Sequence, residues 1–371
     1  MNITGKKIKI LIIITTRFAK FGGIANAFMN YYRYMNLENL QIDVVSCTNH
    51  DNEMGAEIEC NGGMCYDVPS KQKNVLKYVY ALNKIMRQGY DVVDVHGNSG
   101  TMLVEMWLAK RNKVPNRMAH CLNSKANHAI IHNIMKPLFN SMCTTRTACT
   151  KQAGYFLYGK RDFTVLRNTV PLEEYHFSNR YREEIRSGYS IENDQILLGT
   201  VGKINHQKNQ GFLLDVIAEL KESYDNLKFM IVGDGALRPE LESKISDLGL
   251  ENVVILAGMQ SDVIPYYSAF DIYVFPSLFE GESLALIEAR CSGVYVCASE
   301  LIRLDEKEKK NIVYQNLDVK CWTDTVKRYI HMIKTQDRYI DSTEVIAEIK
   351  EEGVDSVDNA ELLKELYCKC P

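Results

Sequence analysis

The chain has 371 residues, more than one ordinary domain usually contains, and its 46% hydrophobic and 25% charged residues are typical of a globular protein. This composition excludes a disordered chain, a collagen-like fibre and a small disulfide-stapled scaffold. The longest uninterrupted apolar stretch, residues 10–14, is far shorter than the roughly 20 residues of a membrane span. The eleven cysteines lack the paired spacing of a zinc site, so we expect reduced thiols in a cytosolic protein.

The net charge of −3 conceals an uneven distribution of charge along the chain. The first 165 residues contain 21 basic and 11 acidic side chains, a net charge of +10, and the remainder has a net charge of −13. A basic half indicates an anionic partner such as a membrane surface or a lipid phosphate. Because the basic residues are dispersed rather than clustered, an imbalance that only orients the two halves toward each other fits equally well.

Short β-branched runs alternate with amphipathic stretches through the first half of the chain. Apolar residues spaced by three and four over 24–35 predict a helix with one buried face. The apolar run at 10–14 predicts a parallel strand that is covered on both faces. The predicted strands of this half are residues 9–15, 42–47, 91–95, 117–121, 146–149 and 163–166.

The same alternation begins again in the second half. Its predicted strands are residues 196–202, 228–232, 253–257, 271–275 and 294–297, and its predicted helices are 212–221, 238–248 and 283–291. Two such series predict an α/β fold class with two Rossmann-like doubly wound domains facing a cleft. We place the domains at 1–168 and 169–354. The tail after residue 301 contains no evident strand, only predicted helices at 322–334 and 359–367.

Gly22 and Gly23 form the first segment whose residues suit a phosphate. They lie between the first predicted strand and a helix, where backbone N–H groups and the helix N-terminus favour an anion. A plain turn with glycine at positive φ is the simpler interpretation of this motif alone. The segment also lacks the GxGxxG spacing and the ribose-binding acidic residue of a nicotinamide site.

Two lysines lie in residues 200–209, directly after the first strand of the second half. Lys203 and Lys208 are at the carboxyl end of a strand, where ligands bind in open α/β sheets, and two ammonium groups can neutralise a diphosphate. Exposed loop lysines with no ligand would have the same pattern.

Residues 275–288 combine two glutamates with a helix start. Glu280 lies in a loop and Glu288 in the second turn of the helix that opens at Ser283, so both carboxylates can face one site and accept hydrogen bonds from paired sugar hydroxyls. The free N–H groups near Ser283 and Leu284 can hold a phosphate. An ordinary surface charge is the alternative for Glu288, but its apolar neighbours predict a mostly buried helix.

Together these segments resemble a known family. In one order the chain contains Gly22-Gly23, Met29-Asn30-Tyr31-Tyr32-Arg33, Gly202-Lys203, Gln207-Lys208-Asn209, Val232-Gly233-Asp234-Gly235, Phe275-Pro276-Ser277 and the span from Glu280 to Glu288. This pattern resembles the GT-B glycosyltransferases of family 4, in particular those that build bacterial exopolysaccharide and capsule. The resemblance covers nearly the whole chain and is weakest between about residues 300 and 350.

The resemblance implies a retaining, metal-independent transfer of a sugar from a nucleoside diphosphate sugar, with UDP-sugar favoured and no other cofactor. It also implies a C-terminal helix, about 355–371, that crosses back onto the first domain. By this resemblance Glu288 would bind the ribose, and Lys203 and Lys208 would bind the diphosphate. Glu280 would contact the donor sugar as the catalytic carboxylate, and Gly23 would close over the phosphates. The residues that would line the sugar and phosphate are Gly281, Glu282, Ser283 and Leu284.

The sequence departs from the family mainly in the first domain. Leu122 stands where the family usually has a histidine near the sugar, and His120 shares a strand face with it, so His120 is a catalytic candidate or else a structural histidine. His96 and Asn98, after the strand at 91–95, are acceptor-side candidates, with a simple turn as the alternative. Glu282 would oppose phosphate binding if it pointed inward, so we expect it to point outward or to meet a sugar hydroxyl.

Other functions remain open at this point. Leu122 also suits a catalytically weakened glycosyltransferase-like partner subunit, whereas a sugar-nucleotide epimerase or phosphorylase fits residues 275–288 less well. The transferase hypothesis predicts a glycan or lipid-linked acceptor, peripheral membrane contact through the basic first domain, no nucleic-acid partner, and a cytoplasmic location at the inner membrane face.

Overall fold

The computed structural model describes residues 7–20, 22–124, 129–304 and 309–369. The chain divides into two compact units, one formed by Met1–Thr169 with Gly353–Pro371 and the other by Val170–Glu352. Each unit is built on one sheet in which all the paired strands are parallel. The sequence prediction of two doubly wound α/β domains is therefore confirmed as a fold class.

The first sheet has seven strands in the order β3-β2-β1-β4-β5-β6-β7. The strands are β1 (Ile8–Ile14), β2 (Leu40–Cys47), β3 (Cys65–Val68), β4 (Val92–Gly97), β5 (Asn116–Cys121), β6 (Thr145–Ala148) and β7 (Thr164–Val165). The helices between them are α1 (Gly23–Tyr34), α2 (Asn52–Cys60), α3 (Val75–Met86), α4 (Leu103–Arg111), α5 (Ala129–Met142) and α6 (Lys151–Tyr158).

The apolar run that predicted a covered parallel strand is the centre of this unit. Because successive side chains of a strand point to opposite faces, Leu11 and Ile13 enter one core, whereas Ile10, Ile12 and Ile14 enter the other. All five side chains are fully buried. The predicted helix at 24–35 is α1, and it packs Phe28 and Tyr31 into the second of these cores.

The second sheet has six strands in the order β10-β9-β8-β11-β12-β13. The strands are β8 (Ile196–Val201), β9 (Leu227–Val232), β10 (Val254–Gly258), β11 (Ile272–Phe275), β12 (Tyr295–Ser299) and β13 (Ile312–Gln315). The helices of this unit are α7 (Asn179–Gly188), α8 (Gln210–Lys221), α9 (Arg238–Asp247), α10 (Ile264–Ala269), α11 (Leu284–Cys291), α12 (Val319–Met332) and α13 (Arg338–Glu351).

Two edge strands were absent from the sequence prediction. The expectation of no strand after residue 301 is wrong, because β13 pairs in parallel with β12 at the edge of the second sheet. β3, at the edge of the first sheet, was likewise not predicted. Both strands have four residues, of which only one in each is buried, so neither shows the apolar run that marks a central strand.

The C-terminal helix α14 (Ser356–Cys368) belongs to the first unit. It packs beside α1 through Leu363 and Tyr367, and residues 370–371, at the end of the predicted helix, lie outside the described part of the chain. Two buried hydrogen bonds join it to the sheet: the Tyr367 hydroxyl donates to Asp94 Oδ2 at 2.8 Å, and Asn116 Nδ2 donates to the Leu366 carbonyl at 3.0 Å. No helix in the described residues combines the length and apolar character that a bilayer crossing requires.

Candidate active site

Hydrogen bonds join the loop after β8 to the loop after β11. Their strands are neighbours in a parallel sheet, so both loops leave from the same edge. The Leu278 amide donates to the Gln207 carbonyl at 2.9 Å, and Gln207 Nε2 returns a bond to the Phe279 carbonyl at 2.8 Å. Asn209 Nδ2 adds a bond to the Pro276 carbonyl at 3.3 Å. The lysine segment and the glutamate segment identified in the sequence thus form one continuous surface of the second unit.

Lys208 and Glu280 meet directly on this surface. Lys208 Nζ lies 2.7 Å from Glu280 Oε1 and 4.5 Å from the centroid of the Phe275 ring. Their side chains are only 18% and 11% exposed, so the pair is poorly screened by solvent. The loop holds Lys208 in place through its backbone amide, which donates to Asn205 Oδ1 at 2.9 Å.

Lys203, five residues earlier in the same loop, has an exposed side chain. Its carbonyl accepts a hydrogen bond from Gln210 Nε2 at 3.1 Å, which ties this part of the loop to the start of α8. The structure therefore places the two lysines differently: Lys208 is held in an ion pair, and the ammonium of Lys203 is open to solvent.

Glu288 lies on α11 and is not an ordinary surface charge. The Tyr267 hydroxyl, from α10, donates to Glu288 Oε2 at 2.7 Å. Burial raises the pKa of the Glu288 carboxyl, and this effect is opposed by hydrogen bonds from Tyr267 and Tyr175 and by the charge of Lys208. The electrostatic effect of Lys208 links Glu288 to the Lys208–Glu280 pair. Neither tyrosine was identified from the sequence, where nothing connects them with Glu288.

The start of α11 presents backbone N–H groups beside Glu280. Ser283 is the N-cap residue but its side chain makes no capping hydrogen bond, and Leu284 is the first helical residue. Gly281, Ser283 and Leu284 are half-buried. Glu282 is only 6% exposed, so the expectation that its side chain points outward to solvent is wrong. Contact of Glu282 with a sugar hydroxyl stays a prediction.

Glycines allow the neighbouring loops of the second sheet to approach closely. Gly233 has φ +138°, and a Cβ there would lie 2.1 Å from the Gly202 carbonyl oxygen. A Cβ on Gly235 would lie 2.1 Å from the Ile204 carbonyl oxygen. Any side chain at either position would push the loop after β9 away from the loop after β8. The two glycines of the Val232-Gly233-Asp234-Gly235 motif thus allow close packing against the loop after β8, which carries Lys203 and Lys208.

In the first unit, Gly22 and Gly23 form the start of α1. Gly22 is the N-cap residue at φ −99°, and Gly23 is also absent from the left-handed region, so the interpretation as a turn with positive φ is wrong. A Cβ on Gly23 would meet no atom within 4 Å. The backbone at this helix start is therefore open.

His96 and His120 lie inside the first unit. His96 belongs to β4 itself rather than to the loop after it, and His120 belongs to β5; both are fully buried. Their rings stack at 5.2 Å, with His96 Nε2 3.0 Å from Asp94 Oδ2 and His120 Nδ1 3.0 Å from Thr147 Oγ1. Burial lowers the pKa of His120 to about 3, and the charge of the neighbouring His96 is a second, smaller cause. His120 is therefore neutral at physiological pH.

The remaining candidates of the first unit lie nearer its surface. Asn98, in the segment after β4, is half-buried, as is Leu122, which follows β5 and donates its amide to the Gly97 carbonyl at 3.2 Å. In the part of the chain that the structure describes, no three His, Cys, Asp or Glu side chains come together as a metal-binding group. The predicted lysine and glutamate segments are thus brought together in the second unit, whereas in the first unit only His96 and His120 stack on each other, and both are buried.

Comparisons with known proteins agree with this arrangement. The family model "Glycosyl transferases group 1" matches residues 195–332, which contain both bonded loops. The putative glycosyltransferase EpsF of Bacillus subtilis is 26% identical over 362 residues, 93% of each chain. The N-acetylgalactosamine-N,N'-diacetylbacillosaminyl-diphospho-undecaprenol 4-alpha-N-acetylgalactosaminyltransferase of Campylobacter jejuni is 31% identical over 241 residues, 57% of this chain and 63% of that one.

Among solved structures, Alr3699/HepE of Anabaena in complex with UDP has a TM-score of 0.79 at 17% identity, covering 96% of this chain and 99% of that one. This likeness identifies the fold as GT-B. The chain therefore has the GT-B fold, and over residues 195–332, which contain the lysine and glutamate loops, it resembles the group 1 glycosyltransferases of family 4.

Proposed function

We propose that this chain is a retaining, metal-independent glycosyltransferase that moves a sugar from a UDP-sugar to a lipid-linked acceptor of a surface glycan. The observation that carries the proposal is the ion pair of Lys208 and Glu280, which lie on two hydrogen-bonded loops at the carboxyl edge of one sheet, with Glu288 on the adjoining helix α11 under the influence of the Lys208 charge. A cation, an acceptor for sugar hydroxyls and an acceptor for ribose hydroxyls are the groups that a nucleoside diphosphate sugar requires.

In this mechanism the departing diphosphate is stabilised by fixed positive charge. Lys208 and the exposed Lys203 neutralise it, and the N–H groups at Ser283 and Leu284 add the positive end of α11. Glu288 binds the ribose and Glu280 the hydroxyls of the donor sugar. Gly23, at the open start of α1, is the proposed phosphate-binding residue of the first unit. Retention of configuration is supported by the resemblance to family 4.

The donor and acceptor classes are supported by the relatives. The Anabaena structures contain UDP or UDP-glucose, and the Campylobacter jejuni enzyme is named for an undecaprenol diphosphate-linked acceptor. We extend both classes to this chain, with His96 and Asn98 as acceptor-side candidates and His120 as the catalytic candidate in place of the usual histidine. The buried positions of both histidines require a rearrangement before either ring could contact a substrate.

A location in the cytoplasm with peripheral membrane contact completes the proposal. The first unit has 24 basic and 15 acidic residues, a net charge of +9, which suits an anionic bilayer. Helix α5 exposes Ile130, Ile134 and Leu138 by 78%, 73% and 52%. These residues are four apart, so they lie on one face of the helix and form an apolar stripe.

The donor site is tested by thermal unfolding with UDP, GDP, TDP and ADP. Ligand at 100 times its dissociation constant adds about 2.7 kcal/mol of stability, so a true site raises the melting temperature measurably. The K208A variant should lose this shift. K228A is the matched control, because Lys228 lies at the amino end of β9, where Nζ donates to the Asn252 carbonyl. Absence of any shift with all four nucleotides in the unmodified protein refutes the proposal.

The second candidate function, a weakened glycosyltransferase-like partner subunit, is favoured by Leu122 and by the burial of His120. The L122H variant separates the two candidates. A large gain in transfer or in donor hydrolysis over the unmodified chain supports the partner-subunit hypothesis. Robust turnover by the unmodified chain removes that hypothesis.

A further inference from the structure

Two tyrosines hold the carboxyl of Glu288 from two different elements. The Tyr267 hydroxyl donates to Glu288 Oε2 at 2.7 Å from α10, and Tyr175, at the end of the 3₁₀ turn Leu172–Tyr175, donates a second hydrogen bond to the same carboxyl. Their rings pack against each other edge to face, with centroids 5.8 Å apart. The carboxyl is therefore fixed by two rigid side chains that are themselves in contact.

The position of Tyr267 is fixed in turn by Arg338 of α13. This half-buried arginine donates to the carbonyls of Tyr267 at 3.0 Å and of Ser268 at 3.1 Å, at the end of α10, and to the Ser292 carbonyl at 2.9 Å, after α11. One side chain thus joins the helix that carries Tyr267 to the end of the helix that carries Glu288. The distance between the tyrosine hydroxyl and the carboxyl is set by this packing.

A carboxylate has about four acceptor positions on its two oxygens. Two hydrogen bonds from tyrosines leave about two positions, which is the number that two neighbouring hydroxyls of a ribose need. The terminal torsion of a glutamate is otherwise broad, so without the tyrosines the remaining acceptor positions would have no fixed direction. Acceptors fixed in advance bind a diol at lower entropic cost than acceptors that must first be ordered.

We propose that Tyr267 and Tyr175 are positioning residues for the nucleoside of the donor, which direct the Glu288 carboxylate at the 2′- and 3′-hydroxyls of its ribose. The inference rests on the proposed donor site. It assigns to Tyr267 and Tyr175 the preference of that site for a ribonucleotide over a nucleotide without the ribose hydroxyls. The tyrosines act through Glu288 and do not contact the reacting atoms.

The test compares UDP with 2′,3′-dideoxy-UDP by calorimetry in the full chain. We expect the unmodified protein to bind UDP more tightly, and the Y267F variant to lose about tenfold in UDP affinity while its affinity for the dideoxy compound is unchanged. Y175F should act in the same direction. In turnover assays the donor KM should rise with little change in kcat, and E288Q should abolish the preference for UDP.

Y266F is the matched control, because Tyr266 directly precedes Tyr267 on α10 and its hydroxyl lies 3.3 Å from the Tyr189 hydroxyl instead of at Glu288. It should keep the unmodified preference. Equal loss of affinity for both nucleotides in Y267F and Y175F, or no loss, overturns the inference in favour of a purely structural role. If Y267F does not fold, Y175F alone decides. Failure of the unmodified protein to bind UDP, GDP, TDP or ADP refutes the donor site itself, a result distinct from a lost preference.

Discussion

The Lys208–Glu280 ion pair gives the lysine a partner that a diphosphate must replace. Glu280 Oε1 lies 2.7 Å from the ammonium, where a phosphate oxygen would lie in the proposed complex. Because both side chains are mostly buried, water screens their attraction little. Replacing Glu280 by a phosphate oxygen beside Lys208 therefore changes the free energy of donor binding. In the proposed complex Glu280 would therefore have two effects: it competes with phosphate, and it is released to accept sugar hydroxyls when the lysine turns to the diphosphate.

The E280Q variant separates these two effects. Loss of the competing charge should tighten the binding of UDP alone by about three- to tenfold, because Lys208 is then free for the phosphates. Sugar transfer should fall by a factor on the order of 10² if Glu280 contacts the donor sugar. Calorimetry and turnover measure the two effects, and E242Q, which changes an exposed partner of Arg238 on α9, is the control. Weaker UDP binding by E280Q would show that the ion pair does not oppose the diphosphate.

The raised pKa of Glu288 predicts an acid limit to donor binding. Burial raises this pKa above 4.5, so the carboxyl takes up a proton at a higher pH than an exposed glutamate does. The proposed ribose binding by the ionised carboxylate should be lost as the pH falls through the raised pKa. The donor KM should therefore increase on the acid side of neutrality, and in Y267F the increase should begin at higher pH, because the hydrogen bond from Tyr267 lowers the pKa. A KM profile that is the same in both proteins would contradict this effect.

At the scale of elements, the sequence predicted the central strands, helix α1 and the two loops that follow β8 and β11, where the donor site is proposed. These elements have local signals: apolar runs, helical spacing, and glycine or lysine at the end of a strand. The edge strands β3 and β13 have four residues each, of which only one is buried, so their sequences are not distinctive. The tyrosines that hold Glu288 are 21 and 113 residues away from it in sequence, and only tertiary packing brings them together.

Helix α14 is attached to the first sheet by a buried polar contact that could not be predicted from the sequence. The Tyr367 hydroxyl donates to Asp94 Oδ2, which is also 3.0 Å from His96 Nε2, and all three side chains are fully buried. The Y367F variant leaves the hydroxyl's place empty and removes one hydrogen bond to a buried carboxylate, so the free energy of unfolding should fall by about 1–3 kcal/mol. Urea denaturation measures this loss, with Y339F, at an exposed position of α13, as the control. Equal stability of the two variants would show that the contact does not hold the helix.

At the scale of the whole molecule, the charges of the two units differ in sign. The first unit has a net charge of +9, and the second, with 20 basic and 32 acidic residues, has a net charge of −12. A bilayer with anionic lipids should therefore attract the first unit and repel the second. The apolar stripe on α5 adds side chains that can enter the interface once electrostatic attraction has brought the unit to the membrane.

Vesicle sedimentation tests this arrangement. The protein should sediment with vesicles containing phosphatidylglycerol at low salt, less with pure phosphatidylcholine, and less again as salt increases, because the attraction is screened within about 10 Å at 0.1 M. Combined I134S and L138S substitutions should weaken binding at least tenfold, since each removes apolar area worth about 1 kcal/mol or more at the interface. L301S, which changes an exposed leucine of the acidic unit, should bind like the unmodified protein. Equal binding to both vesicle types, or unchanged binding by the α5 variant, would exclude this helix as the membrane contact.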